Sequence, residues 1–258
     1  MPAPREGFDV CYARQWMAVS PSSTTARGAE DYPHLLSLAV HELRTPCSVV
    51  AGYLRLLQRD GGEPITDQQR KMMSEAEKSC GRFIALIGEM SDISKLDSGA
   101  IALARQPIDI FALVEEVAEH VHEASDREVR LTLQGEATGA PATGDAVRLR
   151  SAFQAIFRAI LREKLGPATV VAERRRVVRD GQLSAVVVVA DESDVQAVYD
   201  SPPGAFDEGR GGLGLALPLA RRVIEGHGGR IWAPSPAAGD DRARGSAVIS
   251  LPITEQNT

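Results

Sequence analysis

Two stretches of this chain repeat apolar residues in alternating steps of four and three, a pattern that restricts them to helices packed along a seam. The first runs through Leu36, Val40, Leu43, Cys47, Val50, Leu54 and Leu57, and the second through Met73, Ala76, Cys80, Phe83, Ile87 and Met90. Gly61-Gly62 and Pro64 break the first helix. Thr66, with Gln69 three residues on, forms a capping box for the second. Two helices joined by a short turn cannot bury both seams alone. The expected unit is therefore a helical hairpin over 31–100 that dimerises into a four-helix bundle.

After Lys95-Leu96-Asp97-Ser98-Gly99 the texture changes. The pattern predicts a helix over 110–123, a strand over 129–133 and a helix over 145–164. Strands at 169–178 and 183–190 flank the hairpin signal Asp180-Gly181. An irregular stretch over 191–210 leads into a helix over 212–225, and strands at 230–233 and 246–251 close the chain. Helices with mainly antiparallel strands make an α/β sandwich, so the class is α+β with a second domain over 101–258. Residues 1–30, rich in Pro, Ser, Thr and Gly from Ser20 to Gly28, are expected to be a flexible leader.

Composition narrows the function classes. The chain has 258 residues, room for one large or two modest domains, and is 43% apolar and 25% charged. Its net charge of −6 argues against nonspecific binding to nucleic acid or anionic membrane. Arg174-Arg175-Arg176 falls in a predicted outer strand and is expected to be a solvated edge that discourages strand pairing. Cys11, Cys47 and Cys80 form no close pair, as suits reduced thiols in a cytoplasmic protein. No run approaches the roughly 18 apolar residues of a membrane span, and no secretory pattern opens the chain.

Residues 41–46 read His41-Glu42-Leu43-Arg44-Thr45-Pro46. His41 follows the seam residue Val40, which places it at the flank of the seam, within reach of solvent and a partner. A histidine that accepts a phosphoryl group needs one ring nitrogen exposed and the other held by a hydrogen-bond acceptor. Glu42 is the adjacent carboxylate. Thr45 lies one turn on along the same face, and Pro46 loosens the helix below. This string, followed by the hairpin and KLDSG, resembles the phosphoacceptor box of two-component sensor histidine kinases over about 31–115. The resemblance implies His41 as acceptor, Glu42 as base and Thr45 as the residue that orients water for dephosphorylation.

The rest of the chain resembles the ATP-binding fold that these kinases share with the gyrase and Hsp90 families. Gly211-Gly212-Leu213-Gly214-Leu215, then the helix ending in Glu225-Gly226-His227-Gly228-Gly229, follows the second glycine box. Glycines at a helix start expose N–H groups to phosphate oxygens, which implies Gly212, Leu213, Gly214 and Leu215 as nucleotide contacts. His227 is expected to be structural. Asp191 stands where the family's aspartate takes the adenine amino group, but Ser193 and Val195 replace the two glycines of that box and are expected to crowd the nucleotide. Asp145, Arg148 and Leu149 fit the asparagine box, whose two asparagines are here Ala155 and Ala159. An alanine methyl cannot ligate Mg²⁺. Arg162 replaces the box lysine as a phosphate contact, and Glu163 is a weak candidate for the metal. Restoring asparagine at 159 is expected to strengthen Mg²⁺-dependent binding if the metal site alone is missing.

Three functions stay open on the sequence. The first is a divergent histidine kinase that uses ATP and Mg²⁺ to phosphorylate His41 and then passes the group to a response-regulator aspartate. The second is a phosphotransferase that needs no ATP and relays phosphate between receiver domains. The third is a noncatalytic pseudokinase scaffold. The first two make the protein an enzyme of the protein-histidine kinase or phosphotransferase class. The expected partners are a second copy through 31–100 and a receiver domain, with no nucleic acid.

Overall fold

The computed structural model describes residues 40, 43–44, 47–55, 57, 66–122, 127–179, 181–235 and 245–254. The leader over 1–30, His41, Glu42, Thr45 and Pro46 lie outside them.

Residues 40, 43–44, 47–55 and 57 are helical and form α1. Helix α2 spans Asp67–Asp97 and starts at the expected capping box: Thr66 Oγ1 accepts from the Gln69 N–H, and the Thr66 N–H donates to Gln69 Oε1 at 2.9 Å. Val40, Ala51 and Ile87 are buried, whereas the seam residues Val50, Leu57 and Phe83 are 50%, 58% and 44% exposed. One hairpin covers part of its seam and leaves the rest open to a partner.

The second domain is built on a six-stranded sheet in the order β2-β4-β5-β8-β7-β6. Its strands are β2 (Val129–Gly135), β4 (Ala168–Arg179), β5 (Gln182–Asp191), β6 (Pro203–Gly204), β7 (Arg230–Pro234) and β8 (Ala247–Pro252). Only β2 and β4 are parallel. The β4–β5 hairpin turns where the sequence placed it, with Gly181 at φ +77°. Strand residues alternate between faces. Val187, Val189 and Ile249 lie in the main core with Phe111, Phe153, Ile160 and Ile224, contributed by α3 (Ile110–Glu119), α4 (Ala146–Glu163) and α6 (Ala216–Gly226). Val186, Val188 and Val248 lie on the other face, under Val195 and Val198 of α5 (Val195–Asp200).

Several expectations are corrected here. The stretch over 191–210 is not irregular throughout, because α5 and β6 form inside it, driven by the burial of Val195 and Val198 against Trp232 and the sheet. A small ribbon of β1 (Gln106–Asp109) and β3 (Pro141–Gly144) was not legible in the sequence. Helix α3 stops at Glu119, and α6 begins at Ala216 rather than at residue 212. Strand β4 is not an outer strand as far as Arg174, where β2 pairs with it, and it pairs with β5 from Val170 onward. Arg174 is buried and donates to the Phe111 carbonyl at 3.2 Å and to Glu115 at 2.9 Å.

Candidate functional site

The sequence-predicted nucleotide residues converge where the C-terminal end of α4 meets the segment before α6. Arg210–Gly212 is a single 3₁₀ turn, with Gly211 at φ +68°. It lies directly on α4: a Cβ on Gly211 would stand 2.8 Å from Ala159 Cα. Two neighbours fasten it. Glu163 Oε1 accepts from the Gly211 N–H at 2.9 Å, and Arg162 Nη1 donates to the Gly211 carbonyl at 3.2 Å. Arg210 is buried, donates to the Ser246 carbonyl at 2.9 Å and stacks over Phe206 at 4.4 Å. Its burial pulls the guanidinium pKa below the usual value, with Asp207 and Glu163 opposing.

Asp191, at the end of β5, has one oxygen in use. Lys164 Nζ donates to its Oδ2 at 2.8 Å, while Oδ1 is buried without a hydrogen-bond partner. That leaves an acceptor for one more donor, such as an amino group. Ser193 is exposed and the Val195 side chain is buried on the far face of the sheet, so the expected crowding by Val195 does not occur.

The Mg²⁺ expected from the family pattern is not supported by these residues. Ala159 is fully buried under Gly211, and the Glu163 carboxylate is held by the Gly211 N–H rather than presented to a cation. Among the described residues no group of three or more His, Cys, Asp and Glu side chains is placed to hold a metal ion.

The start of α6 faces the helical hairpin. Leu215, its N-cap, supplies no side-chain cap, and its N–H donates to Glu89 Oε2 of α2 at 3.0 Å. Gly214 has φ +64°, and a Cβ there would stand 2.6 Å from Leu86 Cδ2. Its left-handed backbone favours glycine here. Burial pushes the Glu89 carboxyl above the usual carboxylate range, with the Leu215 N–H opposing. Asp97 pairs with Arg222 at 2.7 Å along the same contact. Gly212 and Leu213 complete the turn.

His227 is structural, as expected. Its Nε2 accepts from the Asp145 N–H at 2.9 Å and its Nδ1 lies 2.7 Å from the Val223 carbonyl, which calls for the tautomer protonated at Nδ1. Asp145 caps α4 by accepting from the Arg148 N–H, and also accepts from the Ala104 N–H. Burial alone would raise its carboxyl, but those two N–H groups, the Arg148 guanidinium and His227 together hold it below the usual range.

Two site residues were missed in the sequence, Glu89 and Lys164. Glu89 reads as one more solvated carboxylate on a bundle helix. Lys164 directly follows the box residues Arg162 and Glu163, but nothing local links it to Asp191.

Comparison with known proteins decides the family. The His Kinase A (phospho-acceptor) domain model matches residues 34–99. The probable sensor histidine kinase TcrY of Mycobacterium tuberculosis is 30% identical over 206 residues, which cover 76% of this chain and 42% of TcrY. The chain belongs to the two-component sensor histidine kinase family. A further family member, the signal transduction histidine-protein kinase BarA of Escherichia coli, is 26% identical over 204 residues, covering 74% of this chain and 22% of BarA. The chain thus spans less than half the length of these two sensor kinases. Full-length ShkA in complex with AMPPNP shares the fold, with a TM-score of 0.63 at 21% identity over 86% of this chain and 46% of that one. ThkA, solved in complex with the response regulator protein TrrA, gives 0.54 at 14% identity over 90% of this chain and 65% of that one. Histidine-kinase-type architecture, a helical hairpin followed by an α/β sandwich, is therefore the fold of this chain. No described helix is long and apolar enough to cross a membrane.

Proposed function

We propose that this chain is the phosphohistidine core of a cytoplasmic histidine kinase. The reading is carried by one observation: the phospho-acceptor family model matches residues 34–99, and His41, Glu42 and Thr45 lie inside that match. ATP is the phosphoryl donor, a role supported by the kinase-type fold and by the free Oδ1 of Asp191, which suits the adenine amino group. The His41 imidazole attacks the γ-phosphorus, an N–P bond forms, the bond to the β-bridging oxygen breaks, and ADP leaves. Glu42 holds the second ring nitrogen and takes up the imidazole proton. A receiver-domain aspartate then attacks the phosphorus and restores His41, and Thr45 orients the water that later hydrolyses the acyl phosphate.

The working unit is a homodimer through 31–100, supported by the exposed seam residues Val50, Leu57 and Phe83. A response-regulator receiver domain docks on the bundle, as a response regulator is bound to ThkA in its complex. The test is incubation with γ-labelled ATP. Label is expected on the wild-type protein, lost in acid as a phosphoramidate is, and absent from His41→Ala. Label that persists on His41→Ala refutes the acceptor assignment. A wild-type protein that takes no label from ATP but accepts it from a phosphorylated receiver domain is a phosphotransferase instead.

A further inference from the structure

The Leu215 N–H and one oxygen of Asp191, both assigned above to the nucleotide, and the N–H of the neighbouring Gly211 are already engaged by side chains of the same protein. A donor, Lys164 Nζ, sits on Asp191 Oδ2. A carboxylate, Glu163, sits on the Gly211 N–H, and a second carboxylate, Glu89, sits on the Leu215 N–H. The polarity matches in each case: an N–H donor faces the aspartate, and anions face the glycine-rich N–H groups. Glu163 and Lys164 belong to the same domain as the groups they engage, whereas Glu89 comes from α2 of the hairpin.

We infer that the site rests in a self-liganded state, in which Glu89 occupies the anion seat at the start of α6 and α2 must withdraw before phosphate can sit there. This rests on the nucleotide reading above. The contact is built for the purpose by two features besides the hydrogen bond. Leu215 has no side-chain cap of its own, and Gly214 is left-handed with the tip of the Leu86 side chain of α2 lying against it. One N–H cannot serve a carboxylate and a phosphate oxygen together, and two anions brought that close repel each other. Docking of α2 and binding of the nucleotide phosphates at Leu215 therefore exclude one another. Whatever moves α2 in the bundle then sets the affinity of the ATP site.

The experiment compares ATP affinity by calorimetry in the wild-type protein, Glu89→Ala, Glu89→Gln and Asp97→Ala, with amide exchange at Leu215 followed alongside. Removing a charged acceptor from that N–H is expected to tighten ATP by about tenfold in Glu89→Ala, with faster exchange at Leu215. Glu89→Gln, which keeps the shape but loses the charge, is expected to gain less. Asp97→Ala loosens α2 from α6 by losing the pair with Arg222 without touching Leu215, and its ATP affinity is expected to rise by clearly less than that of Glu89→Ala. If ATP binds the wild-type protein and Glu89→Ala equally, or if Asp97→Ala gains as much as Glu89→Ala, the latch is refuted and the kinase reading stands. If none of the four proteins binds ATP at millimolar concentration, the nucleotide reading falls and the latch with it.

Discussion

Gly211 and Gly212 are adjacent, both left-handed at φ +68° and +59°, yet they differ in what surrounds them. A Cβ on Gly211 would meet Ala159 Cα at 2.8 Å and Cβ at 3.1 Å, while a Cβ on Gly212 would meet nothing within 4 Å. Alanine at either position carries the left-handed penalty of about 1–2 kcal/mol. At 211 the added methyl also pushes against the α4 backbone at the fully buried Ala159, an overpacking cost of about 1–3 kcal/mol. Gly211→Ala is therefore expected to destabilise the second domain by about 2–5 kcal/mol and Gly212→Ala by about 1–2 kcal/mol. For a domain of this size the gap between them corresponds to roughly 2–12 °C in melting temperature. Differential scanning calorimetry of the two variants reads it directly. Equal melting temperatures would refute the seating of this turn on α4, and with it the explanation of why the metal site is closed.

Further outcomes follow from the same contacts. Ala159→Asn is expected to lower stability without creating Mg²⁺-dependent ATP binding, because Gly211 occupies the space the amide needs; tightening by Mg²⁺ in calorimetry would overturn this. Asp145→Ala loses a cap and the Ala104 contact, about 1–2 kcal/mol at pH 7. Because the Asp145 carboxyl is depressed on folding, that stability is present above its unfolded pKa and fades as pH falls through the folded one. The gap to the wild type in urea titrations should close in acid, and a gap that persists there contradicts the assignment. Thr66→Ala is expected to destabilise α2 by about 1 kcal/mol through the lost capping box, and unchanged helix melting by circular dichroism would count against it.

Where burial and local geometry speak together, this sequence was legible. The helical period of α2, the Thr66 cap, the Asp180-Gly181 turn and the helix over 146–163 all carry periodicity or turn chemistry that few alternatives share. Helix α5 was hidden because its apolar residues, Val195 and Val198, belong to the outer face of the sheet and are too few to set a period. The ribbon of β1 and β3 was hidden because four-residue strands with prolines leave no alternation to read. The loss of the two asparagines was plain at Ala155 and Ala159. Its consequence was not: the sequence pointed to Ser193 and Val195 as the obstruction, whereas the turn at Gly211 fills the space over Ala159. Glu89 and Lys164 act across 126 and 27 residues respectively, separations at which no local pattern signals a partner.

The hydrogen bond from the Asp145 N–H to His227 pins the far end of α6 to the start of α4, and the Val223 carbonyl holds the ring in place for it. A helix of 11 residues is about 16 Å long. With its tail held and Leu217 at its head buried in the core, α6 keeps Leu215 at a fixed distance from the clasp. The anion seat at Leu215 therefore stays in place when α2 leaves, and the residue that closes the glycine-rich motif fixes where its opening lies.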